Sequence, residues 1–149
     1  MGNNISNLNK LNYEDINFLI KRKDCIIINT LPVNMQDCLI INTTNINEEE
    51  IKINECLQKN KNYYIVIYGK NSSDDTIYKK YYQLTELGFL NVNIYPGGMF
   101  EWLLLQDIYG SEEFGTTKKE LDILKYKSDS KLAIKNVTKF HYYYTQKYL

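Results

Sequence analysis

Hydrophobic and polar positions follow two alternating patterns over the first two-thirds of the chain. Short β-branched runs are typical of strands buried on both faces, and they occur in DCIIINT (24–30), CLIIN (38–42), NYYIVIYG (62–69) and NVNIY (91–95). Between them, apolar residues recur at helical spacing. The spacing predicts helices over 13–22, from Asn47 onward, over 76–87, and from Phe100 through Trp102 and Leu103 to Leu105.

Residues at the ends of these segments are typical helix boundaries. Asn12 and Asn47 are expected N-caps, Asp74 or Asp75 is expected to cap the third helix, and Gly88 is expected to end it in a left-handed conformation. The apolar face of the second helix is predicted from Ile51, Ile53, Cys56 and Leu57.

Strands that alternate with helices predict an α/β fold with a parallel sheet flanked by helices. We assign this single domain to residues 11–109, a flexible arm to 1–10, and a lysine- and tyrosine-rich extension to 110–149. Apolar residues are sparse in the extension, so it is expected to add little to the core and to serve in binding. Two short helices are predicted in it, from Leu121, Leu124 and Tyr126 and from Ile134, Val137, Phe140 and Tyr144.

Composition excludes several function classes. The 18 basic and 18 acidic residues of this 149-residue chain cancel, which disfavours a nucleic-acid partner. No apolar run approaches the roughly 18 residues of a membrane span, and the first residues lack the apolar segment of a signal peptide. A cytoplasmic location is therefore expected.

The chain has three cysteines, and their spacing matches no common metal site. Cys25, Cys38 and Cys56 form no CxxC pair, and the single histidine, His141, is distant in sequence. Buried free thiols are favoured over metal ligands or nucleophiles, with Cys25 and Cys56 in the core and Cys38 less constrained. No metal and no cofactor is expected.

Three strings together resemble a rhodanese-like domain over roughly residues 11–109. They are IVIYG (65–69) with the loop and helix that follow, ELGFLNVNIYPGGMFEW (86–102), and DCIIINT (24–30). The second string is the most specific, because members of that family have a Leu-Gly-Phe-type turn, a strand, and a Gly-Gly that opens the last helix before a Trp.

The resemblance implies a cysteine nucleophile directly after the strand, in a loop whose backbone N–H groups hold an anion. Gly69 occupies that position here, so no persulfide or phosphocysteine is expected. The cationic end of the loop falls on Asp74 or Asp75, and a carboxylate there would repel thiosulfate or phosphate by about a few kcal/mol. The degenerate loop comprises Gly69, Lys70, Asn71, Ser72, Ser73, Asp74 and Asp75. Helix capping by the two aspartates is favoured over cation binding.

Two further departures concern the residues that surround the loop. Relatives often carry an acidic residue and an arginine where this chain has Asn29-Thr30-Leu31, and a Gly-His where it has MQDCLI (35–40). The sequence therefore predicts a catalytically inactive member that acts as a protein-binding or regulatory module for an unidentified protein partner. A sulfurtransferase or phosphatase that uses other groups, and a structural component held at a membrane, are the alternatives.

The first six residues, MGNNIS, match a short lipidation signal. After removal of Met1, Gly2 becomes the N-terminus and Ser6 stands where N-myristoylation requires Ser or Thr. One acyl chain gives only weak membrane binding, and Lys10, Lys21, Arg22 and Lys23 form a weak basic patch. Partial, salt-sensitive membrane association, or recruitment with a membrane-bound partner, is expected.

Overall fold

The computed structural model describes residues 8–133 and has the predicted α/β architecture. Its helices and strands are α1 (Tyr13–Lys21), β1 (Cys25–Asn29), α2 (Glu49–Lys59), β2 (Tyr64–Tyr68), α3 (Thr76–Glu86), β3 (Val92–Tyr95) and α4 (Gly98–Tyr109). Short 3₁₀ turns cover Val33–Met35 and Ile123–Tyr126. The second predicted helix of the extension, from Ile134 to Tyr144, lies outside the described residues. Within residues 8–133, no helix is long and apolar enough to cross a membrane.

The three strands form one parallel sheet in the order β1-β2-β3. Cys25 is aligned with Tyr64, and Ile65 with Val92. Because the strands are parallel, the segments that precede them meet at one edge of the sheet, the amino edge. The segments that follow them, including the loop after Tyr68, meet at the opposite, carboxyl edge.

Side chains alternate along the strands and build one apolar layer on each face of the sheet. One layer packs Ile27, Val66, Tyr68 and Tyr95 against α1 and α4 and includes the buried Trp102. The other packs the remaining strand residues against α2 and α3 and includes Ile26, Ile28, Ile53, Ile65, Ile67, Ile77, Leu84, Phe89, Val92 and Ile94. The sheet is thus covered on both faces, as its β-branched runs predicted.

Short segments cover both outer strands. Next to β3, Lys10 forms a parallel bridge with Ile94, Leu11 N–H donates to Ile94 O (2.8 Å), and the Asn9 and Asn93 amides bond to each other. Next to β1, Thr44 N–H donates to Ile27 O (2.8 Å). The expected flexible arm therefore does not include Asn9 and Lys10, which are paired with the sheet.

The strand predicted over 38–42 is wrong. This segment forms only an isolated bridge between Ile40 and Thr116, and Asn42 has a left-handed φ of 69°. Ile40 N–H donates instead to the Tyr68 hydroxyl (3.1 Å), which also bonds to Thr43 Oγ1 (2.8 Å). Burial raises the pKa of Tyr68 well above its usual range. A buried tyrosine hydroxyl thus satisfies the backbone N–H of Ile40, while Ile41 N–H donates to Gly115 O (3.0 Å).

Two of the predicted helix boundaries are confirmed and one is wrong. Asn12 caps α1 in a reciprocal capping box with Asp15, and Gly88 ends α3 with a φ of +112°, as predicted. The Asn47 cap is wrong, because α2 begins at Glu49 and the Asn47 N–H donates to the Asn45 side chain in a turn. Ile51, expected on the apolar face of α2, is 61% exposed, whereas Ile53 is buried.

The extension enters the core, contrary to the expectation that it adds little there. Phe114 and Tyr126 are 3% and 1% exposed. Trp102 Nε1 donates to Gly115 O (3.0 Å), and Thr117 N–H donates to Leu39 O (2.8 Å). The extension has few apolar residues, but Phe114 and Tyr126 among them are buried in the core. Leu121 and Leu124, expected on the same helix as Tyr126, are 82% and 64% exposed.

Candidate functional site

The loop from Gly69 to Asp75 lies at the carboxyl edge of the sheet, between the end of β2 and the start of α3. The first turn of α4 lies against it. Met99 N–H donates to Gly69 O and Phe100 N–H to Lys70 O, each at 3.0 Å. Two of the free N–H groups at the start of α4 are thereby satisfied by loop carbonyls, which fixes the loop to that helix.

The Asp74 carboxylate turns back into the loop. Its Oδ2 accepts a hydrogen bond from Lys70 N–H (2.8 Å), and its Oδ1 accepts from Thr76 N–H (3.0 Å) and from the Thr76 hydroxyl (2.5 Å). Asp75 makes no side-chain bond to the start of α3. Of the two predicted capping residues, Asp74 is therefore the one that serves the helix, and it also closes the loop.

Gly69 leaves room for this carboxylate. A Cβ atom at position 69 would lie 2.5 Å from Asp74 Oδ2 and 3.0 Å from Ile77 Cγ2. A side chain at position 69 therefore requires the Asp74 carboxylate to move. Gly69 and Asp74 are thus coupled by direct contact in the folded loop.

Gly98 allows α4 to approach the loop. It has a φ of +65°, and a Cβ there would lie 2.6 Å from Gly69 O and 3.0 Å from Asn71 N. The second glycine of the Gly-Gly pair is thus required by both backbone conformation and close packing.

The extension covers the other side of the loop. Asn71 is buried, its Nδ2 donates to Tyr126 O (2.9 Å), and its Oδ1 accepts from Ser73 N–H (2.9 Å). A groove of about 820 Å³ runs along this contact, and its charged lining comprises Lys70, Asp74, Asp75, Lys127, Asp129 and Lys131. No local pattern in the sequence identified the last three, because they reach the loop only through the fold.

The segment after β1, where relatives often carry an acidic residue and an arginine, is held by neutral amide groups in this chain. Gln36 Nε2 donates to Asn29 Oδ1 (2.8 Å) and to Leu31 O (3.0 Å), and Leu31 N–H donates to the same Asn29 oxygen (3.0 Å). The segment after β1 is therefore fixed by amide hydrogen bonds. These neutral amides place no formal charge beside the loop.

None of the three thiols is activated by its surroundings. Cys38, expected to be the least constrained, is buried, whereas Cys25 and Cys56 are half-buried. Cys38 Sγ donates to Lys118 O (3.1 Å). Burial is the main cause that raises the pKa of each thiol, so each stays protonated near neutral pH. Within residues 8–133, no cluster of three or more His, Cys, Asp or Glu side chains forms a metal site.

Comparison with known proteins identifies this arrangement. The model of the rhodanese-like domain family matches residues 19–105. The crystal structure of the Alr3790 protein from Anabaena sp. is similar at 16% identity, with a TM-score of 0.52 over 77% of this chain and 86% of that chain. The BH2092 protein from Bacillus halodurans is similar at 16% identity, with a TM-score of 0.53 over 80% and 90%.

A search of curated proteins finds no match. The two structural likenesses concern the fold alone, whereas the family match covers more than half of the chain and includes β1, the Gly69–Asp75 loop and Gly98. The chain therefore belongs to the rhodanese-like domain family.

Proposed function

We propose that this rhodanese-like domain does not turn over substrate and acts as a protein-binding or regulatory module in the cytoplasm. The observation that carries the proposal is the Asp74 carboxylate, hydrogen-bonded inside the loop next to Gly69. Gly69 supplies no nucleophile, and the carboxylate already accepts the Lys70 N–H that faces it. The frame of the loop is retained while the groups for covalent chemistry are missing.

Electrostatics support the same conclusion. An oxyanion at the loop would meet the negative charge of Asp74 at close range, in a site that is only partly exposed to water. Like charges in such a place repel by several times more than in bulk water. The nearest positive charge within the loop is Lys70, and the chain's single arginine, Arg22, pairs with Asp24 at 2.6 Å.

The alternative, an enzyme that uses another nucleophile, has less support. Cys38 is buried against the extension, outside the loop, and burial raises the pKa of its thiol. Cys25 begins a strand at the opposite edge of the sheet from the loop. A raised pKa makes each thiol a poorer nucleophile at neutral pH.

The groove between the loop and residues 127–131 is the recognition surface that we assign to this module. Three lysines and three aspartates line it, together with the small polar side chains of Thr30, Ser73 and Thr76. A surface of mixed charge on a rigid scaffold is suited to a polar protein segment, since complementary charges fix orientation and exclude other partners.

Neither the natural chain nor its Gly69→Cys variant is expected to transfer sulfur from thiosulfate or to hydrolyse an aryl phosphate. In the variant, the new Cβ competes with Asp74 Oδ2 for the same space, and the carboxylate opposes a thiolate. Cyanide-dependent thiocyanate formation and intact mass after incubation with thiosulfate measure both properties. Turnover by the natural chain above a heat-treated control would contradict the proposal.

Two double variants separate the contact at position 69 from the loss of one negative charge. Gly69→Cys combined with Asp74→Ser removes the carboxylate that contacts position 69, whereas Gly69→Cys combined with Asp75→Ser keeps it. Labelling of the introduced thiol by an alkylating reagent is expected to be faster in the first pair. Equal rates would show that Asp74 does not control the loop.

Attachment through Gly2 is the second part of the proposal, and residues 1–7 lie outside the described range. Expression in a eukaryotic cell is expected to add a myristoyl group to Gly2, because Ser6 completes the signal. Intact-mass measurement detects the adduct, and the Gly2→Ala variant is the control. A free or merely acetylated Gly2 would remove this part and leave the binding module unaffected.

A further inference from the structure

We propose that the amino edge of the sheet docks on an anionic lipid bilayer and points the Gly69–Asp75 loop away from the membrane. The docking surface consists of Lys23, Lys59, Lys61, Leu87 and Leu90. This inference goes beyond the proposed attachment through Gly2. It concerns folded residues, so it does not require Gly2 to be acylated.

These five residues lie in the segments that enter the three strands. Lys23 precedes β1, Lys59 and Lys61 precede β2, and Leu87 and Leu90 precede β3. Leu90 N–H donates to Lys61 O (2.9 Å), and the Lys61 side chain lies about 3.6 Å from the Cβ position of Gly88. Parallel register brings the Lys23 segment to the same edge, since Cys25 is aligned with Tyr64.

The leucines project outward from a turn whose middle is buried. Leu87 and Leu90 are 46% and 73% exposed, while Phe89 between them is 2% exposed and packs in the core. Gly88 ends α3 in a left-handed conformation. Single exposed leucines are ordinary on a protein surface. Their significance here comes from the lysines beside them.

The surface has a small excess of positive charge. Within residues 8–133, Lys23, Lys59 and Lys61 take part in no ion pair, while the neighbouring Arg22 is neutralised by Asp24. Segments 22–24, 55–61 and 86–90 carry four basic and three acidic side chains, so the local excess of positive charge at this edge is small. Lysines around projecting leucines match a bilayer surface, where headgroups are anionic and the acyl boundary accepts apolar side chains.

The path of the N-terminal segment supports a bilayer as the partner of this surface. Residues 9–11 run parallel to β3, so the chain before Leu8 joins the domain at the amino edge. Leu8 is the sixth residue after Gly2, so the chain between them spans at most roughly 20 Å. An acyl chain on Gly2 is thus within reach of a bilayer that contacts Leu90. The loop lies beyond the other end of β2, roughly 17 Å away for a five-residue strand.

Vesicle sedimentation of the unmodified full chain tests the surface. We expect binding to phosphatidylcholine vesicles with about a third phosphatidylserine, weaker binding as salt increases, and much weaker binding to phosphatidylcholine alone. Each lysine at an anionic surface contributes about fivefold in affinity, so Lys59→Gln with Lys61→Gln is expected to weaken binding about 25-fold. Lys118→Gln with Lys119→Gln, an exposed pair outside this surface, is the control.

A matched pair of leucines tests the apolar part. Leu90→Ser is expected to weaken vesicle binding about tenfold, while Leu132→Ser, at a leucine that is 76% exposed, is expected to leave it unchanged. Absence of binding by the natural chain, equal binding to both vesicle types, or equal losses in variant and control would overturn the inference. Each of these results leaves the turnover assay of the loop to be judged separately.

Discussion

Replacing Phe114 by alanine is expected to lower the free energy of unfolding by about 3–5 kcal/mol. That loss is a large share of the total free energy of unfolding of a domain of this size. Phe114 is 3% exposed, and its ring lies 5.1 Å from that of Trp102 in a nearly perpendicular arrangement. Tyr13 and Tyr109 contact the same ring at 5.7 and 6.2 Å. The substitution therefore leaves a cavity among three aromatic side chains.

Phe18→Ala is the matched control for this prediction, because Phe18 is 60% exposed and its loss is expected to cost about 0.5 kcal/mol or less. Urea unfolding followed by the fluorescence of Trp102, the single tryptophan, measures both variants. A chain that ends near Ser111 lacks Phe114 and Tyr126 together and is not expected to unfold cooperatively. A Phe114→Ala cost below about 1 kcal/mol would show that the extension is dispensable.

Replacing Gly98 by alanine is expected to destabilise the domain by roughly 3 kcal/mol or more. A left-handed φ of +65° costs a residue with a side chain about 1–3 kcal/mol. The new methyl group would in addition lie 2.6 Å from Gly69 O, a backbone atom that cannot turn aside as a flexible side chain can. Overpacking of this kind adds about 1–3 kcal/mol.

Gly88→Ala separates these two costs. Gly88 also has a left-handed φ, of +112°, but a Cβ there would meet only the Lys61 side chain at 3.6 Å, which is ordinary contact. Its loss is expected to cost only the conformational part, about 1–3 kcal/mol. Urea unfolding of the two variants gives the difference. Equal costs would mean that α4 does not depend on close approach to the loop.

The sequence by itself determined the elements whose signals are local. The β-branched runs placed β1, β2 and β3, because a strand buried on both faces needs apolar side chains at successive positions. Asn12 and Gly88 marked helix ends, because capping depends on a few neighbouring residues. The position of the loop followed from the same logic, since it lies between the strongest strand and a helix.

Only the tertiary structure decided how distant segments use their polar groups. CLIIN (38–42) has a strand-like composition, yet Ile40 bonds to Tyr68 and Leu39 to Thr117, partners 28 and 78 residues away. The roles of Phe114 and of Asn9 depend likewise on residues in other elements, Trp102 and Asn93.

The same reason applies to the candidate site. The sequence identified Gly69, and Asp74 or Asp75, as departures from the family pattern, but the contact between the Asp74 carboxylate and position 69 depends on the path of the loop. The link between Asn71 and Tyr126 spans 55 residues. Local patterns record the propensity of a segment, whereas these contacts depend on which segments the packed sheet and helices bring together.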